Sequence, residues 1–208
     1  MQKKILIILL FLTLSHAPLF AETENIVVNT TVGQPQILRE TKIIPAQPGT
    51  KCRTGDVLMT PSAGCSLDIS VNGLAGCRVL PTSEFVITDG SKSDMRVQIK
   101  TGNAIMNLEK LPADSTFRVE TPTAVATVRG TQFWGRVQPV STDNPMTTFA
   151  VREGTVNVLD KKTGEIFSLK KNQAIDIAKD GSRPPVIRPA LDGEMKAMEQ
   201  ASGIKTSA

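Results

Sequence analysis

The sequence predicts an all-β domain of many short strands, β-solenoid-like or sandwich-like, with a short helix or tail at the C-terminus. Three observations carry this. About ten strand-forming segments recur at short, regular spacing. Gly, Asn, Asp and Pro punctuate them, residues that accept positive φ, cap their own backbone or break a ladder. No stretch shows the 3.6-residue periodicity of an amphipathic helix.

The chain of 208 residues opens with MQKKILIILLFLTLSHAPLFAETEN. Lys3 and Lys4, the apolar run 5–14 and the small residues before Glu22 form the three parts of a secretory leader, with Ala21 the last residue removed. That run is about half the ~20 residues a spanning helix needs, and no later run approaches that length. The expected product is therefore periplasmic or secreted, with no integral membrane segment after cleavage.

Residues 22–50 are polar and rich in turns, with 26–28 and 42–44 as short edge strands between prolines. Strand 56–60 follows Gly55. Cys65, Leu67, Ile69 and Val71 then alternate with polar residues, the period of a half-buried strand. Asn72-Gly73 is a strong hairpin signal. Further strands are expected at 77–80, 85–87, 95–99 and, past Thr101-Gly102, 104–108. Residues 109–114 allow one helical turn, interrupted by Pro112.

The stretch 117–137, FRVETPTAVATVRGTQFWGRV, is the richest in strand formers and holds the single Trp. Phe117, Val119, Val125, Phe133 and Val137 share one parity and predict one buried face. Ala124 and Ala126 fall on the other. Gly130 inside the pattern predicts a bulge or close backbone approach. Residues 138–145, with Pro139 and Asn144-Pro145, read as a loop. Strands follow at 148–151, 155–159, 166–169 and 174–177. The Pro-rich remainder carries at most a short helix near 194–200.

Composition narrows the function. The one histidine, His16, lies in the leader, so cleavage leaves no Ser-His or Cys-His pair and no His-ligated zinc. The formal charge is +4, two of it from Lys3 and Lys4, and Tyr is absent; neither favours a nucleic-acid partner. Asp56, Glu84, Asp89 and Glu153 lie in or beside turns without a spacing that singles out a glycosidase pair. No catalytic residue and no cofactor is expected. Cys52, Cys65 and Cys77 enter an oxidising compartment. Shared parity favours a Cys65–Cys77 disulfide, with Cys52 pairing either one as the alternative. The spacing lacks CxxC, so no metal site is expected.

Four motifs in order resemble the FecR domain. The run from Phe117 to Phe133 is similar to its hallmark, F-x-V-x-T-P followed by V-R-G-T-x-F, and supplies Thr121, Pro122, Val128, Arg129, Gly130, Thr131 and Phe133. The run GDVLMT, with Gly55, Asp56 and Thr60, resembles the family opening. Glu153-Gly154 lies in a V-x-E-G-x-V segment, and Leu169 to Gln173 resembles the closing turn, with Asn172 where Gly is usual. These residues read as structural. Arg129 reads as a guanidinium bonding loop carbonyls, Glu120 or Glu153, with a ligand contact as the other option.

The resemblance implies a domain over 51–178, flanked by an extension or edge strands over 22–50 and by a linker and flexible tail over 179–208. Known members join a cytoplasmic anti-sigma segment and a membrane helix to a periplasmic FecR domain that relays a receptor signal. This sequence resembles the sensory half alone. The expected function is a non-catalytic binding or sensory module in envelope signalling, with another envelope protein as partner. The alternative is a glycan- or peptidoglycan-binding protein. The expected surface is Trp134 and Arg136, since one of Phe133 and Trp134 must face outward.

Overall fold

The computed structural model describes residues 24–141, 143–199 and 203–207. The leader expected over 1–21, its cleavage after Ala21 and His16 lie outside the described residues. The chain forms β1 (Ile26–Val32), β2 (Gln36–Arg39), β3 (Lys42–Pro45), β4 (Lys51–Cys52), β5 (Val57–Thr60), β6 (Ser66–Val71), β7 (Ala75–Val79) and β8 (Ser83–Asp89). The long β9 (Asp94–Leu108) leads to β10 (Thr116–Glu120), β11 (Ala124–Val128), β12 (Gln132–Ser141) and β13 (Asn144–Glu153). Last come β14 (Thr155–Asp160), β15 (Ile166–Lys170), β16 (Gln173–Ala178), β17 (Ile187–Pro189) and α1 (Asp192–Met198).

The strands form two sheets that share β9. Sheet I runs β4-β1-β6-β7-β9-β12-β13-β16-β17. Sheet II runs β3-β2-β5-β8-β9-β10-β11-β14-β15. Every pairing is antiparallel except β9 with β10. One core cluster draws side chains from both sheets, so the architecture is a sandwich. Antiparallel partners distant in sequence exclude the stacked rungs of a solenoid. Phe85 and Phe117 from sheet II and Phe133 and Phe149 from sheet I are fully buried, each contributing about 2–3 kcal/mol of apolar transfer. The Phe133 and Phe149 rings lie 6.3 Å apart. Gly135 leaves room for Phe149, because a Cβ there would sit 2.9 Å from its ring.

Several expectations are corrected. The break at Thr101-Gly102 is no turn: β9 continues through Gly102 (φ +82°) and passes from sheet II to sheet I. The segment 26–28, expected as an edge strand, is interior to sheet I. β1 lies between β4 and β6, Ile26 and Val28 join the core, and β2 follows directly on Pro35, which hides it in a turn-rich stretch. In the stretch expected as a loop, 138–141 and 144–145 form the outer part of the β12–β13 hairpin, with Pro139 opposite Pro145. Pro is tolerated there because the tip is exposed. Ala124, Ala126 and Val128 face the core, and Val125 does not. The register sets Val119 opposite Ala126, so the turn at 121–123 exchanges the parity. The segment after 178 is anchored: β17 pairs with β16, and Met198 and Ile204 are buried.

The expected Cys65–Cys77 disulfide is absent. All three cysteines are buried free thiols. Shared parity was a necessary condition, but register decides reach. Cys77 lies opposite Ile69, about 13 Å along the strand from Cys65, well beyond the ~7 Å a disulfide can span.

Candidate functional site

The motif residues at the start of the domain serve the fold. Gly55 takes φ +93° and turns the chain into β5. Asp56, 1% exposed, accepts from Arg39 Nε (2.8 Å) and Nη2 (2.7 Å) and from the Arg53 N–H (3.0 Å). This two-pronged pair ties β2 to the entry of β5. Thr60 Oγ1 donates to the Leu80 carbonyl (2.6 Å) and accepts from the Ser83 N–H (3.0 Å). Asp56→Ala is expected to destabilise the chain by about 3 kcal/mol, because three donors lose their acceptor and Arg39 its counter-ion. Denaturant unfolding checks this, and a midpoint within error of wild type would refute it.

The central motif forms two corners. At the first, Thr121 Oγ1 accepts from the Ala124 N–H (2.9 Å) and joins a buried hydroxyl chain with Thr147 (2.9 Å) and Thr123 (2.6 Å). Pro122 is exposed at the tip, where its missing N–H costs nothing. At the second corner Val128 is buried, and the exposed Arg129 donates to the Pro112 carbonyl (3.0 Å) and the Ala113 carbonyl. Loop carbonyls thus hold Arg129, and neither expected carboxylate does. Gly130 (φ +68°) and Gly154 (φ +84°) pack together, a Gly154 Cβ reaching 2.8 Å from the Gly130 oxygen. Arg129, Gly130, Thr131 and Glu153 line a cleft of about 460 Å³ with Asn107 and Lys110. Gly130→Val should cost about 1–3 kcal/mol, since the position has left-handed φ and a Cβ 3.2 Å from Lys110 Cα. An unchanged melting temperature would refute it.

Phe133 points into the core and Trp134 to the opposite face of sheet I, as alternation requires. The outward side chain does not end in solvent. Trp134 is 5% exposed, packed with Ile105, Ala150 and Ala174 beneath Met198 and Ile204. The C-terminal segment straps this face. Arg152 donates to the Met198 carbonyl (2.6 Å) and Asn107 to the Ile204 carbonyl (3.1 Å). Gly76 lets the strap pass, because a Cβ there would lie 2.5 Å from the Lys205 oxygen. The indole Nε1–H is buried and finds no acceptor among the described residues.

Beside the strap an open cleft of about 550 Å³ is lined by Trp134, Arg136, Met146, Thr148, Asp176 and Arg188, among others. Arg136 is exposed and makes no hydrogen bond or ion pair with the described residues. On the far wall Arg188 bridges Asp176 (2.7 Å) and Glu194 (2.7 Å). Hydrogen bonds that Arg188 donates to Glu194, then to Asp176, hold its guanidinium charged. Burial would raise Asp176, but bonds from Arg188 and Thr148 outweigh it and leave the carboxylate below its ordinary value.

The structure therefore places Trp134 and Arg136 on one cleft and leaves the other motif residues in turns and ladders. The strap and the wall of Asp176, Arg188 and Glu194 were missed. Arg188 lies in a Pro-rich stretch that reads as linker, and nothing in its spacing announces a partner on β16. Of the four turn carboxylates, Asp56 is paired with Arg39 and Asp89 with Arg96. Among the described residues no cluster of His, Cys, Asp or Glu could hold a metal, and no helix is long and apolar enough to cross a membrane.

Residues 56–157 match the family model described as FecR protein. A search of curated proteins finds no match. Among solved structures, a Parabacteroides distasonis protein proposed to be an anti-sigma factor, at 1.65 Å, aligns with TM-score 0.57 at 16% identity. The alignment covers 69% of this chain and 64% of that one. A second crystal structure of a protein so described from that organism, at 2.50 Å, gives TM-score 0.56 at 16% identity, covering 67% and 62%. The chain spans less than two thirds of either structure, and the likeness is one of fold.

Proposed function

Because this chain carries a FecR domain over residues 56–157, we propose that it is a non-catalytic, extracytoplasmic binding or sensory module of envelope signalling, which docks an envelope protein at the cleft beside Trp134 and Arg136. One observation carries the choice of surface. The motif arginine, Arg129, and the buried Asp56 are engaged in the fold, whereas Arg136, at the mouth of a cleft, has no ionic partner among the described residues. A guanidinium in a cleft that also carries Trp134, Met146 and Leu191 suits a partner carboxylate flanked by apolar side chains. The anti-sigma role proposed for the structural neighbours is in keeping with a signalling module. The glycan reading loses its platform, because Trp134 has no open ring face on which a sugar could stack.

Two experiments test this. Intact mass and N-terminal sequencing of the expressed protein should give a chain beginning at Glu22; a retained leader in the envelope would overturn export by cleavage. Immobilised wild-type chain and Arg136→Glu should then be compared on envelope extract. An identified envelope protein held by wild type and lost by the variant supports the reading. Equal capture by both, or retention only on purified peptidoglycan, overturns it.

A further inference from the structure

The two sheets present four edges among the described residues, and three are blunted. β4 has only two residues, β17 has three and ends in Pro189, and β3 has four and ends in Pro45. β15 differs. It has five residues and no proline, pairs only with β14, and carries Ile166 67% exposed. Its free main-chain groups can be identified. The Asp160 N–H donates to the Glu165 carbonyl at 2.9 Å. Alternation then turns 165, 167 and 169 toward β14, and Ile166, Ser168 and Lys170 toward the open side. The Lys170 N–H agrees, being capped from that side by Gln173 Oε1 at 2.8 Å.

We propose that β15 is a self-association edge, on which two copies of this chain pair their β15 strands antiparallel about Ser168 and continue sheet II from one copy into the other. The sequence Glu165 to Lys171, EIFSLKK, is self-complementary in that register. Ser168 exchanges both main-chain bonds with its counterpart, and the Ile166 N–H reaches the carbonyl of the partner's Lys170. Phe167 comes opposite the partner's Leu169 on the inner face. The exposed Ile166 is covered by the methylene stem of the partner's Lys170. Glu165 meets the partner's Lys171, so both ends of the join carry opposite charges. Gln173, capping Lys170, ends the ladder there. A shift by two residues would lose both ion pairs, which makes charge the arbiter of register.

So short a join buries less than a standard interface, and the dimer should be weak and salt-sensitive. Sedimentation equilibrium on the purified chain should show monomer and dimer exchanging below about 1 mM. Glu165→Lys and Lys171→Glu should each raise the dissociation constant about tenfold, and the double exchange should restore it. Ser168→Pro should abolish the dimer while keeping the circular dichroism of the monomer, since that N–H makes no bond to β14. Should that variant unfold, the charge exchange stands as the test by itself. A chain that stays monomeric at about 1 mM, or single variants not rescued by the double one, would overturn the proposal. Arg136→Glu should leave dimerisation unchanged, which separates this edge from the cleft.

Discussion

Gly102→Val is expected to lower the stability of the chain by about 4 kcal/mol, the sum of a strained backbone and an overpacked contact. Gly102 takes φ +82°, where a β-branched residue is a severe outlier. A Cβ would also fall 2.6 Å from Ser83 Cα and 2.2 Å from Ser83 Oγ. Ser83 cannot withdraw: its Oγ accepts from the Asn103 N–H at 2.8 Å, and its N–H donates to Thr60 Oγ1 at 3.0 Å. Gly102 also marks where β9 leaves sheet II for sheet I, so the damage falls on the strand that joins the layers. Urea unfolding of wild type, Gly102→Ala and Gly102→Val checks this. Loss should rise with side-chain size, and an Ala variant as stable as wild type would show that the bend tolerates a Cβ.

The second large effect is alkaline. Burial, reinforced by Asp56, pushes the Cys52 thiol up to about 12, and burial with Asp68 pushes Cys77 to about 12. In the unfolded chain each titrates near its ordinary 9.0. Between these values the folded state keeps protons that the unfolded state has lost. Stability is therefore full below pH 9 and declines as pH rises toward 12, by about 3 kcal/mol at pH 10 for the two thiols together. The chain has no Tyr, so no phenol titrates in that window. Melting temperature measured from pH 8 to 10.5 under reducing conditions should fall, and Cys52→Ala with Cys77→Ala should flatten the slope. A wild-type curve already flat across that range would refute the buried-thiol account.

Most individual strands were legible because alternation is local. Leu67 and Ile69, or Phe117 and Val119, need only their own neighbours to declare a buried face. Trp134 shows the limit. Alternation correctly sent it away from the core that holds Phe133, and that is all alternation can say. Whether an outward residue meets water depends on what the chain lays over it, here Met198 and Ile204 from beyond the last β-motif. Cys65 and Cys77 show the same limit, since parity is a property of one strand and reach a property of two.

What the sequence by itself determined is the class, most of the turns and the family signature. Gly130, Gly154 and the Thr121 corner depend on backbone sterics and short-range hydrogen bonds that each residue carries with it. What only the tertiary structure decided is the sandwich over the solenoid, the passage of β9 between sheets, the strap over Trp134 and the Arg136 cleft. Each rests on residues far apart in the chain, as when Arg152 holds Met198 or Asn107 holds Ile204. Such contacts arise when sheet register and packing bring distant segments together. Of the stretch 117–137, the corners were thus readable in place, while the surroundings of Trp134 and Arg136 were set by the fold.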